Sequence, residues 1–145
     1  MPLPLNETLL ISNSDRVSFR TQVDAMRLFG FKGAGYQRGS WTVPDNSCRV
    51  LWLPQFFPNN NWNNIIGVDG ETIVEVAITA DGRSSIRDQI KRGQDGVREE
   101  FIVFGKRAPG APYRYEGTFI PDFSRDLHDR LLFNRIREVE SLIPH

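Results

Sequence analysis

Segments rich in β-branched and aromatic residues follow one another along the chain, at 49–53, 71–78, 100–104 and 113–119. Turn-forming residues separate them: Pro54 ends the first, glycines at 70 and 82 flank the second, and 105–112 holds two prolines and two glycines. Such runs predict strands, and successive strands with few helices between them favour an antiparallel α+β fold over a parallel βαβ fold. We predict a single domain, 1–145, built round a curled antiparallel sheet or a small β-barrel.

One helix is predicted near the N-terminus, capped by Ser14 or Asp15 and ended by Gly30 after Phe29. Its apolar residues recur at helical spacing, which indicates one buried face: Phe19, Val23 and Met26. The residues before it, about 1–13, are predicted to form a flexible arm.

Two later segments are ambiguous. Residues 84–92 fit either a short exposed helix or a long loop. Residues 124–143 fit a helix capped by Ser124, since their apolar residues follow helical spacing, but 132–136 fits a last strand followed by a helical tail equally well. Periodicity does not decide between these alternatives.

Composition excludes several functional classes. The 18 cationic and 18 acidic side chains cancel, so the chain is not a polycation that coats nucleic acid indiscriminately. No apolar run approaches the ~20 residues that span a bilayer, and the N-terminus lacks the pattern of a secretory signal. A single cysteine, Cys48, and two histidines argue against a disulfide or a zinc site. We predict a cytoplasmic protein with no membrane contact, metal or cofactor.

No catalytic motif is present. The glycines at 33, 35 and 39 have the wrong spacing for a dinucleotide fingerprint, and Gly105-Lys106-Arg107 lacks the pattern of a P-loop. No catalytic residue is predicted, and the chain is interpreted as non-enzymatic.

One enzyme alternative is a Mg²⁺-dependent nuclease that uses Asp69, Glu71 and Glu75. Glu71 and Glu75 have the same strand parity, which favours a solvated face over a metal site. A third class is a protein-interaction or immunity-type domain, in which exposed Phe56, Phe57 and Trp62 would fill a pocket of a partner.

The strongest functional signal lies in a glycine-rich segment at 32–41 and an asparagine-rich turn at 59–64. Their aromatic, amide and basic side chains are those that stack on a base, read its edge and hold phosphates. We assign stacking to Tyr36, Trp41 and Trp62, edge reading to Gln37, Asn61 and Asn64, and phosphate binding to Arg20, Lys32 and Arg38. The competing interpretation makes the aromatic residues core and leaves the asparagines to close turns.

Two stretches of the sequence resemble small β-barrel domains of the PUA-like and SRA-like kind, many of them found in restriction-linked proteins. They are Phe101-x-Val103-Phe104-x-Lys106 followed by Pro112-Tyr113-x-Tyr115-x-Gly117-x-Phe119, and Gly35-Tyr36-Gln37-Arg38-Gly39-Ser40-Trp41. The resemblance covers about residues 20–136.

The resemblance implies a module that binds nucleic acid and in some members rotates a modified base into an aromatic pocket. We predict DNA as the ligand. Such domains are usually fused to a nuclease or a helicase, so a protein partner of that kind is expected. The neutral total charge requires the phosphate-binding cations to be segregated on one face.

Overall fold

The computed structural model describes residues 10–35, 38–124 and 129–142. Within them the chain forms ten strands and two helices. The strands are β1 (Leu10–Ser12), β2 (Ser18–Phe19), β3 (Ser40–Thr42), β4 (Arg49–Trp52), β5 (Trp62–Ile66), β6 (Thr72–Ala77), β7 (Glu100–Lys106), β8 (Tyr113–Asp122), β9 (Arg130–Arg137) and β10 (Val139–Ser141). The helices are α1 (Gln22–Arg27) and α2 (Ala80–Gln94).

The large sheet has the strand order β3-β4-β7-β8-β9-β6-β5, with β2 paired to β8 beside this path. All of its pairs are antiparallel except β4–β7. A second sheet contains β1 and β10. The edge strands β3 and β5 do not pair with each other, so the sheet is open. The predicted α+β fold with an antiparallel sheet is confirmed, and the barrel alternative does not apply.

The sheet is covered by apolar side chains on both faces, because successive residues of a strand point to opposite sides. In the β4 region, Leu51 and Leu53 join a cluster with Met26 and Phe29 from the α1 segment. Trp52, between them, joins a second cluster, to which Ile86 of α2 contributes. The two helices therefore pack on opposite faces.

The N-terminal helix is shorter than predicted. Residues 13–15 form a 3₁₀ turn that ends at Arg16, which has a φ of 52°, and Phe19 lies in β2, paired with Tyr113. The helix begins only after Thr21, whose side chain accepts a hydrogen bond from the backbone of Asp24. Pairing with a strand almost a hundred residues away overrides the local helical spacing. The helix ends before Gly30, as predicted, and Gly30 has a φ of 98°, which does not continue a helix.

Both ambiguous segments are defined by the structure. The segment 84–92 lies inside α2, which is capped by Thr79. Of the C-terminal segment, 130–141 forms β9 and β10, so the helical alternatives are wrong for these residues; residues 125–128 and 143–145 lie outside the described part. Residues 10–12, assigned to the arm, form β1. Neither described helix is long and apolar enough to cross a membrane.

Candidate nucleic-acid interface

A cavity of about 570 Å³ lies on the face of the sheet that carries α2. Its walls come from strands β3 to β7 and β9, from α2, and from the turn at 59–61. This volume is in the range of small-molecule sites, roughly 300–1,000 Å³. The cavity therefore has room for a nucleobase.

Three aromatic side chains from three strands pack together at the cavity. The rings of Trp52 and Phe133 lie 4.7 Å apart between centroids, and Phe101 meets Phe133 edge to face at 5.4 Å and Trp52 at 6.0 Å. Such pairs hold one another in fixed orientations. The cavity therefore has a rigid aromatic wall.

Beside the aromatic wall, the cavity has a polar wall of buried side chains from two neighbouring strands. Asn64 of β5 is 4% exposed and lies directly across from Glu75 of β6, which is 5% exposed. Directly paired residues have Cβ atoms about 4.5–5.5 Å apart on the same face of a sheet. Gln89 of α2 donates to Oε1 of Glu75 at 3.2 Å. An amide and a carboxyl group are thus brought together.

These two side chains have unused hydrogen-bonding capacity. Oδ1 of Asn64 is buried and accepts no hydrogen bond from any described residue. Glu75 has Gln89 as its one hydrogen-bonding partner within the described part of the chain. Burial raises the pKa of Glu75 to about 7, and the hydrogen bond from Gln89 acts in the opposite direction. A buried polar group without a partner is costly, which indicates a site built for a ligand.

Arg38 lies at the rim of this cavity and is exposed. The segment that carries it is fixed from two sides: the backbone N–H of Gly39 donates to Oε1 of Gln22 at 3.0 Å, and its carbonyl accepts from Leu53 at 2.7 Å. Gly39 has a φ of 79°, which favours glycine. No carboxylate of the described residues forms a salt bridge with Arg38, whereas the other rim arginine, Arg92, pairs with Glu99 at 3.0 Å.

The asparagine-rich turn closes another side of the cavity. Asn59 and Trp62 exchange backbone hydrogen bonds of 2.9 and 2.7 Å. Oδ1 of Asn61 accepts from the hydroxyl of Thr79 at 2.6 Å, which fixes the turn to the N-terminus of α2. Trp62 is half-buried, lines the cavity and packs against the apolar cluster that contains Trp52 and Phe133.

The predicted site residues are only partly brought together. The cavity contains Arg38, Asn61, Trp62 and Asn64. Trp41 does not line it, because its neighbours Ser40 and Thr42 face the cavity while its own ring packs on Phe31, with centroids 5.5 Å apart. Arg20 and Lys32 are exposed and away from the cavity lining, and Tyr36 and Gln37 lie outside the described residues.

Sequence reasoning did not assign Glu75 to the nucleic-acid site and considered it only in the nuclease alternative. The expectation of a solvated face for Glu71 and Glu75 is wrong for Glu75, because α2 covers that face of β6 and Gln89 reaches it. Glu71 precedes β6 and is exposed. Among the described residues, no three His, Cys, Asp or Glu side chains lie together as metal ligands would.

The sequence of β5 contains a pattern from which the strand could have been predicted. It begins at Trp62, so Trp62, Asn64 and Ile66 point to one face while Ile65, 50% exposed, points to the other. Alternation of this kind is visible in sequence, but the predicted turn at 59–64 includes the first three residues of β5. The phenylalanines of the interaction alternative are half-buried rather than exposed: Phe56 packs against Gly105, leaving no space for a Cβ atom there.

The fold is shared with known proteins. The sequence model of the SET and RING associated (SRA) domain matches residues 6–142. Among solved structures, the chain is similar to the 5-hydroxymethylcytosine-specific restriction enzyme AbaSI, with 26% sequence identity and a TM-score of 0.77. That match covers 92% of this chain and 42% of the other, so the chain spans less than half the length of that enzyme. The search of curated proteins found no significant match. The resemblance to SRA-like domains is confirmed.

Proposed function

Because the chain belongs to the SRA domain family, we propose that it binds DNA non-enzymatically and holds a modified base, rotated out of the duplex, in the cavity between β5, β6 and α2. Family membership and the likeness to a restriction enzyme specific for 5-hydroxymethylcytosine support nucleic-acid binding and modified-base recognition. The observation that carries the proposal is the pair of buried, incompletely bonded side chains, Asn64 and Glu75, in a cavity that also has an aromatic wall.

The energetics of base rotation fit this cavity. Removing a base from the stack costs a few kcal/mol. Stacking on an aromatic side chain returns about 1–3 kcal/mol, and hydrogen bonds to the base edge offset the remainder. Trp62 and the aromatic wall provide the stacking surface, whereas Asn64 and Glu75 provide edge contacts. Asn61 acts mainly through its bond to Thr79, which positions the turn.

The test is a binding titration by fluorescence anisotropy with short labelled duplexes that carry one cytosine, 5-methylcytosine or 5-hydroxymethylcytosine. We expect wild type to prefer a modified duplex, and Trp62→Ala to reduce that preference by about tenfold, since one stacking partner is lost. The matched control is Ile65→Ala on the same strand, whose side chain points away from the cavity. Equal affinity of wild type for all duplexes would contradict the proposal.

Arg38 is the phosphate contact that the geometry supports best. Arg38→Ala is expected to weaken binding to modified and unmodified duplexes alike and to reduce the slope of log K against log salt by about 1, because one fewer counterion is released. The measurement is the same titration at several salt concentrations.

Arg27→Ala is the control for Arg38→Ala, since Arg27 is exposed, pairs with Asp24 and lies outside the cavity lining. An Arg38→Ala variant with the wild-type salt slope would remove this phosphate contact. Arg20 and Lys32 stay proposals as more distant phosphate contacts, and Tyr36, Gln37 and Trp41 stay proposals from the sequence alone.

A further inference from the structure

The hydrogen-bonding groups of the polar wall fit an edge that offers two donors beside one acceptor. Oδ1 of Asn64 is an acceptor without a donor. Oε1 of Glu75 accepts from Gln89 but has a second lone pair. The third atom is Oε2 of Glu75, which can donate a hydrogen bond when it carries a proton and only accepts when it does not. The amino group of cytosine supplies two donors, and its neighbouring N3 is an acceptor.

A negatively charged Glu75 would oppose such a base, because lone pairs of Oε2 and of N3 would face each other without a proton between them. The surroundings of Glu75 favour the neutral form. Its partners across the sheet are Asn64 and Leu131, and α2 presents Gln89; none carries a charge. The charged side chains that line the same cavity are Arg38, Arg92 and Glu99. Burial, opposed only by the Gln89 bond, sets the pKa of Glu75 at about 7.

We propose that Glu75 reads the base as a neutral carboxylic acid, donating its Oε2–H to N3 of a cytosine-type base while its Oε1 and Oδ1 of Asn64 accept the two amino hydrogens. This inference rests on the proposed function. Recognition of the base then depends on the protonation of Glu75, whereas the phosphate contacts of the same protein do not. When the base is bound, one proton lies between Oε2 of Glu75 and N3 of the base. The free protein loses this proton in mildly alkaline solution.

The experiment measures the ratio of affinities for modified and unmodified duplexes at constant ionic strength between about pH 6 and about pH 8.5. An unmodified cytosine has the same edge, but under the proposed function it stays stacked in the duplex, which is then held through its phosphates alone. Taking the ratio therefore cancels any effect of pH on phosphate binding and keeps the effect on base recognition. For a group with a pKa near 7, the neutral fraction falls about 30-fold over this range, and the apparent affinity of a form-selective ligand falls with it. We expect the preference of wild type to fall by about 30-fold.

The Glu75→Gln variant tests whether Glu75 contacts the base in its neutral or in its charged form. The glutamine amide keeps an acceptor at Oε1 and places a permanent N–H donor where the acid has its O–H. The variant is therefore expected to show the preference of wild type at low pH and to keep it up to about pH 8.5. Glu71→Gln, the same substitution at an exposed position beside the same strand, is expected to behave as wild type.

Three results would overturn the inference: a wild-type preference that is independent of pH, one that rises with pH, or a folded Glu75→Gln variant without preference at any pH. Each leaves the proposed function standing, because wild type still prefers the modified duplex. The proposed function fails separately, if wild type shows no preference at any pH. Circular dichroism of each variant confirms that it is folded.

Discussion

Replacing Asn64 with leucine is expected to remove most of the preference for a modified base while making the free protein more stable. The binding loss follows from deleting one of the two side chains that we propose as contacts to the base edge. Leucine would leave one amino hydrogen of the base buried without an acceptor, which costs about 1–3 kcal/mol, so the preference should fall by about 10- to 100-fold. The affinity for an unmodified duplex should change little.

The gain in stability comes from the unsatisfied Oδ1 atom. A buried acceptor without a donor costs about 1–3 kcal/mol, and leucine has nearly the same shape as asparagine without that polar atom. Asn64 is 4% exposed, and its neighbour Ile66, on the same face of β5, packs against the apolar core. Asn64→Leu should therefore raise the free energy of unfolding by about 1–2 kcal/mol, measured by urea denaturation.

Asn63→Leu is the matched control, since it makes the same substitution at the next residue, on the opposite face of β5. It should leave the base preference unchanged. If Asn64 only supported the fold, Asn64→Leu would make the protein less stable. If the cavity took no part in binding, the variant would keep the wild-type preference for the modified duplex. Opposite changes in stability and in binding distinguish a ligand site from both.

The strands were predictable because their residues carry the signal locally. The segments 71–78 and 113–119 are β-branched or aromatic and end at turn residues, and they correspond to β6 and β8. The length of the N-terminal helix was not predictable, since Phe19 pairs with β8 far along the chain. The parallel pairing of β4 with β7 likewise depends on distant residues, not on either strand's own pattern.

The site was predictable only to the extent that its residues are unusual in sequence. Trp62, Asn64 and Arg38 stand out in asparagine- or glycine-rich segments, and all three line the cavity. Glu75 does not stand out, because strand parity says which residues share a face but not whether that face is covered. Trp41 shows the same limit, since it lies on the face of β3 that packs in the core.

Glu75→Gln is expected to stabilise the free protein in alkaline solution and to leave its stability nearly unchanged in acid. The pKa of Glu75 is about 7 in the folded protein, against an ordinary value of 4.5. A raised carboxyl pKa means that the folded state holds the proton more tightly than the unfolded state. The wild type therefore loses stability as the pH rises from about 4.5 through about 7, and the loss is complete above that.

The size of the effect follows from the shift, because one pKa unit corresponds to about 1.36 kcal/mol. At about pH 8.5 the variant should be more stable than wild type by about 3 kcal/mol, and at about pH 4 the two should nearly coincide. The comparison uses urea denaturation of both proteins at each pH. Taking the difference cancels the opposite contribution of Glu140, whose pKa is lowered in the fold and whose stabilisation is lost in acid.

Parallel stability curves for wild type and Glu75→Gln would show that Glu75 is ionised at the same pH in the folded and unfolded states. Glu71→Gln should follow wild type throughout, because that side chain is exposed.

Asn64→Leu and Glu75→Gln are expected to differ both in stability and in recognition of the base. Both remove a destabilising polar group from the cavity, but only the first removes a contact to the base. Asn64→Leu should gain stability at every pH and lose recognition, whereas Glu75→Gln should gain stability only where Glu75 is charged and keep recognition where wild type loses it.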